Sequence, residues 1–504
     1  MCFIFLQSYF FVFLQKKKSR ITMSGIIGRK KEIEELLELF RSDRAEFVAV
    51  YGRRRVGKTY LVDETLGRHL TFRHAGLSPI DDNGKQNMLK DQLQHFYHSL
   101  LRQGMKKSHQ PTSWLEAFYM LEMHLQRIDN GSRQVVFIDE LPWMDTPRSK
   151  FVMALEGFWN GWACHRHNLM LVVCGSANSW MLDNLVNNHG GLYGRVTYEI
   201  KLSPFTLRES EEFFRSREVK LSRYDIVQSY MMLGGIPYYL NYFKRGQSLA
   251  QNIDQLFFAP NAILRDEYDR LFASVFSNPE EMKRIVKLLS KRHAGYTRQE
   301  ILQKTNIADS GSATKMLNAL QASNFILKYQ PFGKGKREES FKLTDHFCWF
   351  YHHWVETHGN MAADFWMQNI QSQSVTSWRG IAFEEVCMAH IQQIKAALGI
   401  AGVSSEQSAW AVKGDDEKEG TQIDLLINRK DNVVNMCEMK FYAEEFTVTK
   451  SYERKLTHRQ ILLSEKVNRR TVIHPVLITT FGLTYNEYSG VFNHTITMDD
   501  LFEK

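Results

Sequence analysis

Apolar residues set two rhythms in the first part of the chain. Ile33, Leu36, Leu37 and Phe40 stand three or four apart, the spacing of one helical face. Phe47-Val48-Ala49-Val50-Tyr51 then runs apolar without a break, as a strand buried on both faces does. The unbroken pattern returns at Val135-Val136-Phe137-Ile138 and at Leu169-Met170-Leu171-Val172-Val173-Cys174. Buried strands separated by helical stretches predict an α/β unit on a parallel sheet. Helical patterns follow at 209–214 and 224–232 and end in Gly234-Gly235-Ile236-Pro237-Tyr238-Tyr239, where glycine and proline are ordinary helix stop signals.

The pattern changes after Phe276-Ser277-Asn278-Pro279. Ile285, Leu288 and Leu289 mark one short helix, 298–303 a second and 313–322 a third. Phe325-Ile326-Leu327-Lys328-Tyr329 reads as a strand, Gly333-Lys334-Gly335-Lys336-Arg337 as a turn and Ser340-Phe341-Lys342-Leu343 as the return strand. Three short helices and a hairpin describe a winged helix. Farther on, Gly380-Ile381-Ala382-Phe383-Glu384 opens an amphipathic helix. Gln422-Ile423-Asp424-Leu425-Leu426-Ile427 and Val433-Val434-Asn435-Met436-Cys437-Glu438-Met439-Lys440 form a second hairpin, turning near Asp431. The charged end of 410–419 reads as exposed, and Val472-Ile473, Val476-Leu477-Ile478 and Thr495-Ile496-Thr497 as further strands.

Chemistry gathers where the strands end. Gly52-Arg53-Arg54-Arg55-Val56-Gly57-Lys58-Thr59 follows a strand and opens a helix at Tyr60-Leu61-Val62-Asp63-Glu64, the context of a phosphate-binding loop. Gly52 and Gly57 let the backbone turn its N–H groups toward phosphate oxygens, Lys58 reaches the β and γ phosphates of ATP, and Thr59 offers a hydroxyl to Mg²⁺. The second metal-holding carboxylate is Asp139, and Glu140 beside it is placed to polarise an attacking water. After the third strand, Ser176 or Asn178 stands where a γ-phosphate sensor would sit, although polar residues also end strands for turn reasons.

These residues, with Ile27-Gly28-Arg29, Leu141-Pro142-Trp143, Cys174-Gly175-Ser176, Leu192-Tyr193-Gly194-Arg195 and Leu202-Ser203-Pro204-Phe205, resemble the archaeal-type ATPase family, P-loop NTPases allied to the AAA+ and STAND groups. The resemblance implies that Arg195 contacts nucleotide or a neighbouring element, within its own subunit or across an interface. It also implies that Gly235-Ile236-Pro237 is the Gly-x-Pro element of a helical lid, with Pro237 sensing nucleotide. In the winged helix, Lys315 and Lys334 to Arg337 are candidates for the groove and for phosphate, while a packing module would use the same residues.

The second hairpin carries a different chemistry. A turn at Asp431 sets Asp424 opposite Glu438, and period-two alternation puts Glu438 and Lys440 on one face. Two such carboxylates, Asp424 and Glu438, can share a divalent metal, while Lys440 orients or deprotonates water and Glu384 joins from its helix. The four positions resemble the PD-(D/E)xK nuclease superfamily, whose members include active nucleases and inactive or binding versions; solvated surface charges would leave the same pattern. The expected architecture is an α/β P-loop NTPase parallel sheet with a helical lid, a winged helix and a C-terminal α/β restriction-endonuclease-like domain. Its divisions fall at 1–22 (extension), 23–205 (ATPase core), 206–278 (lid), 279–360 (winged helix) and 361–504 (nuclease-like domain).

Bulk properties narrow this little. At 504 residues, 43% hydrophobic and 24% charged, the chain is modular and globular, and a formal charge of +8 permits nucleic acid without requiring it. Six scattered cysteines without metal spacing suit reduced thiols in a cytoplasm. The apolar stretch from Cys2 to Leu14 is shorter than the roughly 20 residues of a spanning helix and has no cleavage site, so it reads as a start-site artefact before Met23, with no membrane partner expected. The aromatic cluster Phe347, Trp349, Phe350, Tyr351 and Trp354 has core spacing. The expected function is an ATP- and Mg²⁺-using switch whose nucleotide state controls a DNA-binding or metal-dependent nuclease-like domain, with DNA and a homo-oligomer considered as partners. The alternative is a regulatory ATPase whose last domain binds a partner or nucleic acid and cuts nothing.

Overall fold

The computed structural model describes residues 25–78, 88–176, 178–186, 191–276, 278–335, 338–359, 362–412 and 420–503. The extension at 1–22, Lys336 and Arg337 of the basic turn, and the charged run at 413–419 lie outside the described residues.

Strands β1 (Glu46–Tyr51), β2 (Leu70–Ala75), β3 (Gln134–Asp139), β4 (Leu169–Gly175) and β5 (Tyr198–Lys201) form one parallel sheet in the order β2-β3-β4-β1-β5. All residues of β1, β3 and β4 are buried, which is why their sequences run apolar without alternation. Successive side chains still divide between two faces. Val48 and Val50 pack with the helices Lys30–Arg41 and Lys58–Leu66, whereas Phe47, Ala49 and Tyr51 face Phe96, Trp114 and Phe158 of three helices on the other side. Tyr51 lies level with Gly175, so β1 and β4 end side by side, and the chain reverses direction across the sheet at that point.

Helices Leu207–Ser216, Arg223–Leu233 and Pro237–Leu240 continue the first apolar core. Next come helices Pro279–Leu289, Arg298–Thr305 and Gly311–Ala322, with an antiparallel sheet of β6 (Tyr296–Thr297), β7 (Ile326–Tyr329) and β8 (Ser340–Leu343) in the order β6-β8-β7. Phe347, Trp349, Phe350 and Trp354 are buried in the same core, as their spacing predicts.

The last unit is a mixed sheet. β9 (Ser405–Val412), β10 (Thr421–Arg429) and β11 (Val433–Lys440) are antiparallel; β11, β13 (Val472–Thr479) and β15 (His494–Thr497) are parallel, with β12 (Phe446–Thr447) and β14 (Leu483–Thr484) paired beside them. Helix Gln373–Ala389 covers one face through Phe383 and Val386, and helix Lys450–Ser464 covers the other through Leu456 and Leu463. The first of these begins at Gln373, earlier than the Gly380 start read from sequence, because the Ser372 hydroxyl caps it by accepting the Val375 N–H. Among the described residues no helix is long and apolar enough to cross a membrane.

Candidate functional site

The loop Gly52 to Thr59 leaves β1 where that strand ends beside β4. Gly52 has φ +153°, and a Cβ there would lie 2.2 Å from the Leu202 carbonyl oxygen, so only glycine fits. Gly57, at φ +91°, precedes helix Lys58–Leu66 and turns its free N–H groups toward the loop. The buried Lys58 ammonium donates to the carbonyls of Gly52 (3.0 Å) and Arg53 (3.1 Å), and burial lowers its pKa. Thr59 Oγ1 donates to Asp139 Oδ2 at 2.7 Å across the gap between β1 and β3. A hydroxyl and a carboxylate in contact form a donor pair suited to Mg²⁺.

Glu140, in the left-handed region at φ 46°, turns from the end of β3 toward β4. Its carboxylate accepts from Ser176 Oγ (2.8 and 3.1 Å) and Ser176 N–H (3.3 Å). Ala177 and the side chain of Asn178 lie outside the description, and the Arg195 side chain is exposed.

The three arginines of the loop diverge. Arg53 is buried and pairs with Asp345 at 2.5 Å; burial opposes its charge, but Asp345 raises its pKa and is itself held below the usual carboxylate range. Arg55 makes two hydrogen bonds to Glu267 (3.0 and 3.2 Å) and stacks on Tyr238 at 3.9 Å. Arg54 lies over Trp143. One guanidinium nitrogen each of Arg53 and Arg54 is buried without a hydrogen-bond partner among the described residues, so both carry spare donor capacity beside the loop. Val56 packs in the core, and Pro237 opens the short helix whose next residues, Tyr238 and Tyr239, meet Arg55 and Arg53. Arg29 donates to Ser203 O at 2.6 Å, joining two motifs 174 residues apart.

A second constellation lies at β10. The β10–β11 register pairs Leu425 with Cys437, and its continuation sets Asp424 opposite Glu438. Their surroundings differ. Asp424, where the β9–β10 register slips, offers an oxygen within 4.8 Å of ligand atoms on Glu384 and His293. Burial, then the charge of Asp424, pushes the Glu384 carboxyl up to about 8. Glu438 instead turns toward helix Lys450–Ser464, where Arg459 and the Tyr452 hydroxyl (2.8 Å) engage its oxygens and Lys440 stands 3.6 Å away. Those contacts must loosen before Glu438 could ligate a metal. Sequence reasoning missed His293, Arg459 and Tyr452, because nothing local in the chain marks them as neighbours of the hairpin.

Residues 26–243 match the family model described as "ATPase domain predominantly from Archaea". The chain is 22% identical over 422 residues to the uncharacterized protein MJECL04 of Methanocaldococcus jannaschii, an alignment covering 82% of this chain and 87% of that one. Among solved structures it is similar to the Walker-type ATPase paby2304 of Pyrococcus abyssi (17% identity, TM-score 0.46, 65% of this chain and 96% of that chain). It is also similar to the ORC2 protein of Aeropyrum pernix (13% identity, TM-score 0.40, 73% and 96%). The family match spans the sheet, the phosphate-binding loop and the Asp139-Glu140 pair, and residues 26–243 are accordingly an ATPase domain of this archaeal type.

Proposed function

We propose that this protein is an ATP-hydrolysing switch whose nucleotide state controls a DNA-binding, metal-dependent nuclease unit at its C-terminal end. The observation that carries the reading is the buried Arg53–Asp345 pair, because it joins the phosphate-binding loop to the segment that follows β8. Just before it, within β8, Lys342 donates to Glu385 at 2.7 Å, and Glu385 bonds His293 at 2.8 Å beside Glu384 and Asp424. Four consecutive residues, Lys342-Leu343-Thr344-Asp345, therefore span from the loop to the carboxylate cluster. Arg55–Glu267 supplies a parallel tie into the helices beyond 206.

ATP phosphates would enter over Gly52 to Thr59. Lys58 exchanges its two carbonyl acceptors for phosphate oxygens, and the spare N–H groups of Arg53 and Arg54 meet the incoming charge. Thr59 and Asp139 would hold Mg²⁺, which neutralises charge developing on the phosphates. Glu140 orients the attacking water, and Ser176 follows its carboxylate as the γ-phosphate arrives or leaves. Because the arginines then interact with a new anion, their pairs with Asp345 and Glu267 shift, and the units attached to those acids respond.

The cleft between the β7–β8 hairpin and β9, about 1940 Å³, is lined by Arg292, Lys328, Lys334, Lys455, Arg459 and Lys466 and reaches Asp424, which supports a nucleic-acid partner. The test is cleavage of linear and circular DNA with Mg²⁺ or Mn²⁺, with and without ATP, beside Asp424→Ala and Lys58→Ala. ATP-dependent cutting abolished by Asp424→Ala supports the reading, and no cutting with intact ATP hydrolysis refutes the nuclease. One observation favours the second reading, a regulatory ATPase that binds without cutting: Glu438 is already engaged by Arg459 and Tyr452. DNA-stimulated hydrolysis without cleavage would establish it.

A further inference from the structure

We infer that His293, Glu384 and Asp424 form a single site for a divalent transition cation, and that this cation ties the middle unit to the C-terminal sheet. The inference deepens the metal-dependent reading above, and its test is metal binding, not cleavage.

The three residues come from separate elements. His293 lies in the tight connection between helix Pro279–Leu289 and β6, Glu384 on helix Gln373–Ala389 and Asp424 on β10. Their ligand atoms all lie within 4.8 Å of one another, and His293 Nδ1 is 3.4 Å from Glu384 Oε2. A cation about 2.0–2.2 Å from each donor fits among atoms so close after small side-chain rotations.

The histidine is oriented as a ligand. Its Nε2 bonds Glu385 at 2.8 Å, which leaves Nδ1 facing Glu384 at 3.4 Å, with an Asp424 oxygen in the same group of ligand atoms. An imidazole with one nitrogen on a carboxylate and the other directed into a donor set is the usual outer support of a metal site. Lys342, on Glu385 at 2.7 Å, balances that supporting charge without entering the donor set. The connection is closely packed: a Cβ on Gly295 would lie 2.0 Å from the Phe341 carbonyl oxygen, and the Trp349 and His293 rings are in contact. The basic cleft includes both His293 and Asp424 in its wall, giving an ion an entry path. One nitrogen and two carboxylates favour Mn²⁺ or Zn²⁺ over Mg²⁺, which prefers oxygen donors and water. Glu438, held by Arg459 and Tyr452 of helix Lys450–Ser464, is outside the set.

The experiment is calorimetric titration of the nucleotide-free full chain with Mn²⁺, comparing His293→Gln, Asp424→Asn and Glu438→Gln. His293→Gln and Asp424→Asn should each weaken binding by about tenfold or more, while Glu438→Gln stays within about threefold and ATP hydrolysis persists in all three. Mn²⁺ affinity within about twofold of wild type in His293→Gln would overturn the proposal. So would selective loss of Mn²⁺ binding in Glu438→Gln. Pulsed electron paramagnetic resonance of Mn²⁺ on the unmutated protein needs no variant to fold: coupling to an imidazole nitrogen is expected, and its absence contradicts the site. DNA that stays uncut while Mn²⁺ binds as described would refute the nuclease and leave this site standing.

Discussion

Two acidic clusters, one at the end of β3 and one within β10, are built in opposite ways in this protein. Around Asp139, the partners Thr59, Glu140 and Ser176 stand at the ends of adjacent strands of one parallel sheet, and the residues that hold them belong to short contiguous motifs. Around Asp424, the neighbours His293 and Glu384 arrive from other elements, and the acid directly across the hairpin, Glu438, is bound elsewhere. A site made at the ends of neighbouring strands of one sheet forms when that sheet forms. A site made from distant residues needs the units that carry them to dock, and its chemistry can therefore answer to that docking.

The sharpest separation of the two is catalytic. Lys58→Ala should lower ATP hydrolysis by about a hundredfold to a thousandfold, as loss of a transition-state donor does, whereas Asp424→Ala leaves it within about twofold; phosphate release measures both. If Asp424→Ala also abolished hydrolysis, the sites would not be separable.

Asp345→Asn tests the joint between them. It leaves the buried Arg53 charge without its partner, a change that costs about 3–5 kcal/mol in comparable buried pairs. A large fall in thermal midpoint is expected, greater than for Glu267→Gln, whose partner Arg55 is partly exposed. Equal effects would mean that the deeper pair is not the main tie.

Glu140→Gln should reduce hydrolysis by about a hundredfold while nucleotide affinity, read by fluorescent ATP, stays near wild type. A loss of affinity instead would make Glu140 part of the binding surface.

A smaller effect concerns pH. His390 Nε2 accepts the Leu207 N–H at 2.9 Å and Nδ1 donates to Val386 O, so the ring must be neutral where it joins the helices beyond 206 to the C-terminal unit. Burial depresses its pKa from 6.5 to about 4. A depressed value means the stabilisation is complete above pH 6.5 and is lost as pH falls toward 4. Thermal midpoints across that range should fall less steeply in His390→Gln. The least effect is expected from Thr449→Ala, which removes the cap of helix Lys450–Ser464 and costs about 1 kcal/mol.

The same contrast explains what the sequence made legible. Continuous apolar runs identified β1, β3 and β4 because strands buried on both faces keep polar residues to their ends, as Glu46, Gln134 and Asp139 do, and the loop between β1 and its helix is confined to glycine at Gly52 by a backbone contact. The β10–β11 hairpin was legible for its alternation and turn. Helix Lys450–Ser464 was not, since its apolar contacts Leu456, Leu462 and Leu463 are sparse among charges, and with it Arg459 and Tyr452 escaped notice. Helices Leu89–Arg102 and Trp114–Arg127 also went unread, although Trp114, Phe118, Leu121 and Leu125 hold helical spacing. His293 carried no local signal at all: its role depends on which helix and strand dock beside it, and periodicity says nothing about docking.

The most direct test of the account is the rate of Mn²⁺-supported DNA cleavage, with DNA affinity measured alongside, in the presence and absence of ATP. The account predicts that ATP changes one or both by about fivefold or more in the wild type and that Lys58→Ala removes the response. Identical cleavage and affinity with and without ATP, in protein that hydrolyses ATP normally, would contradict it.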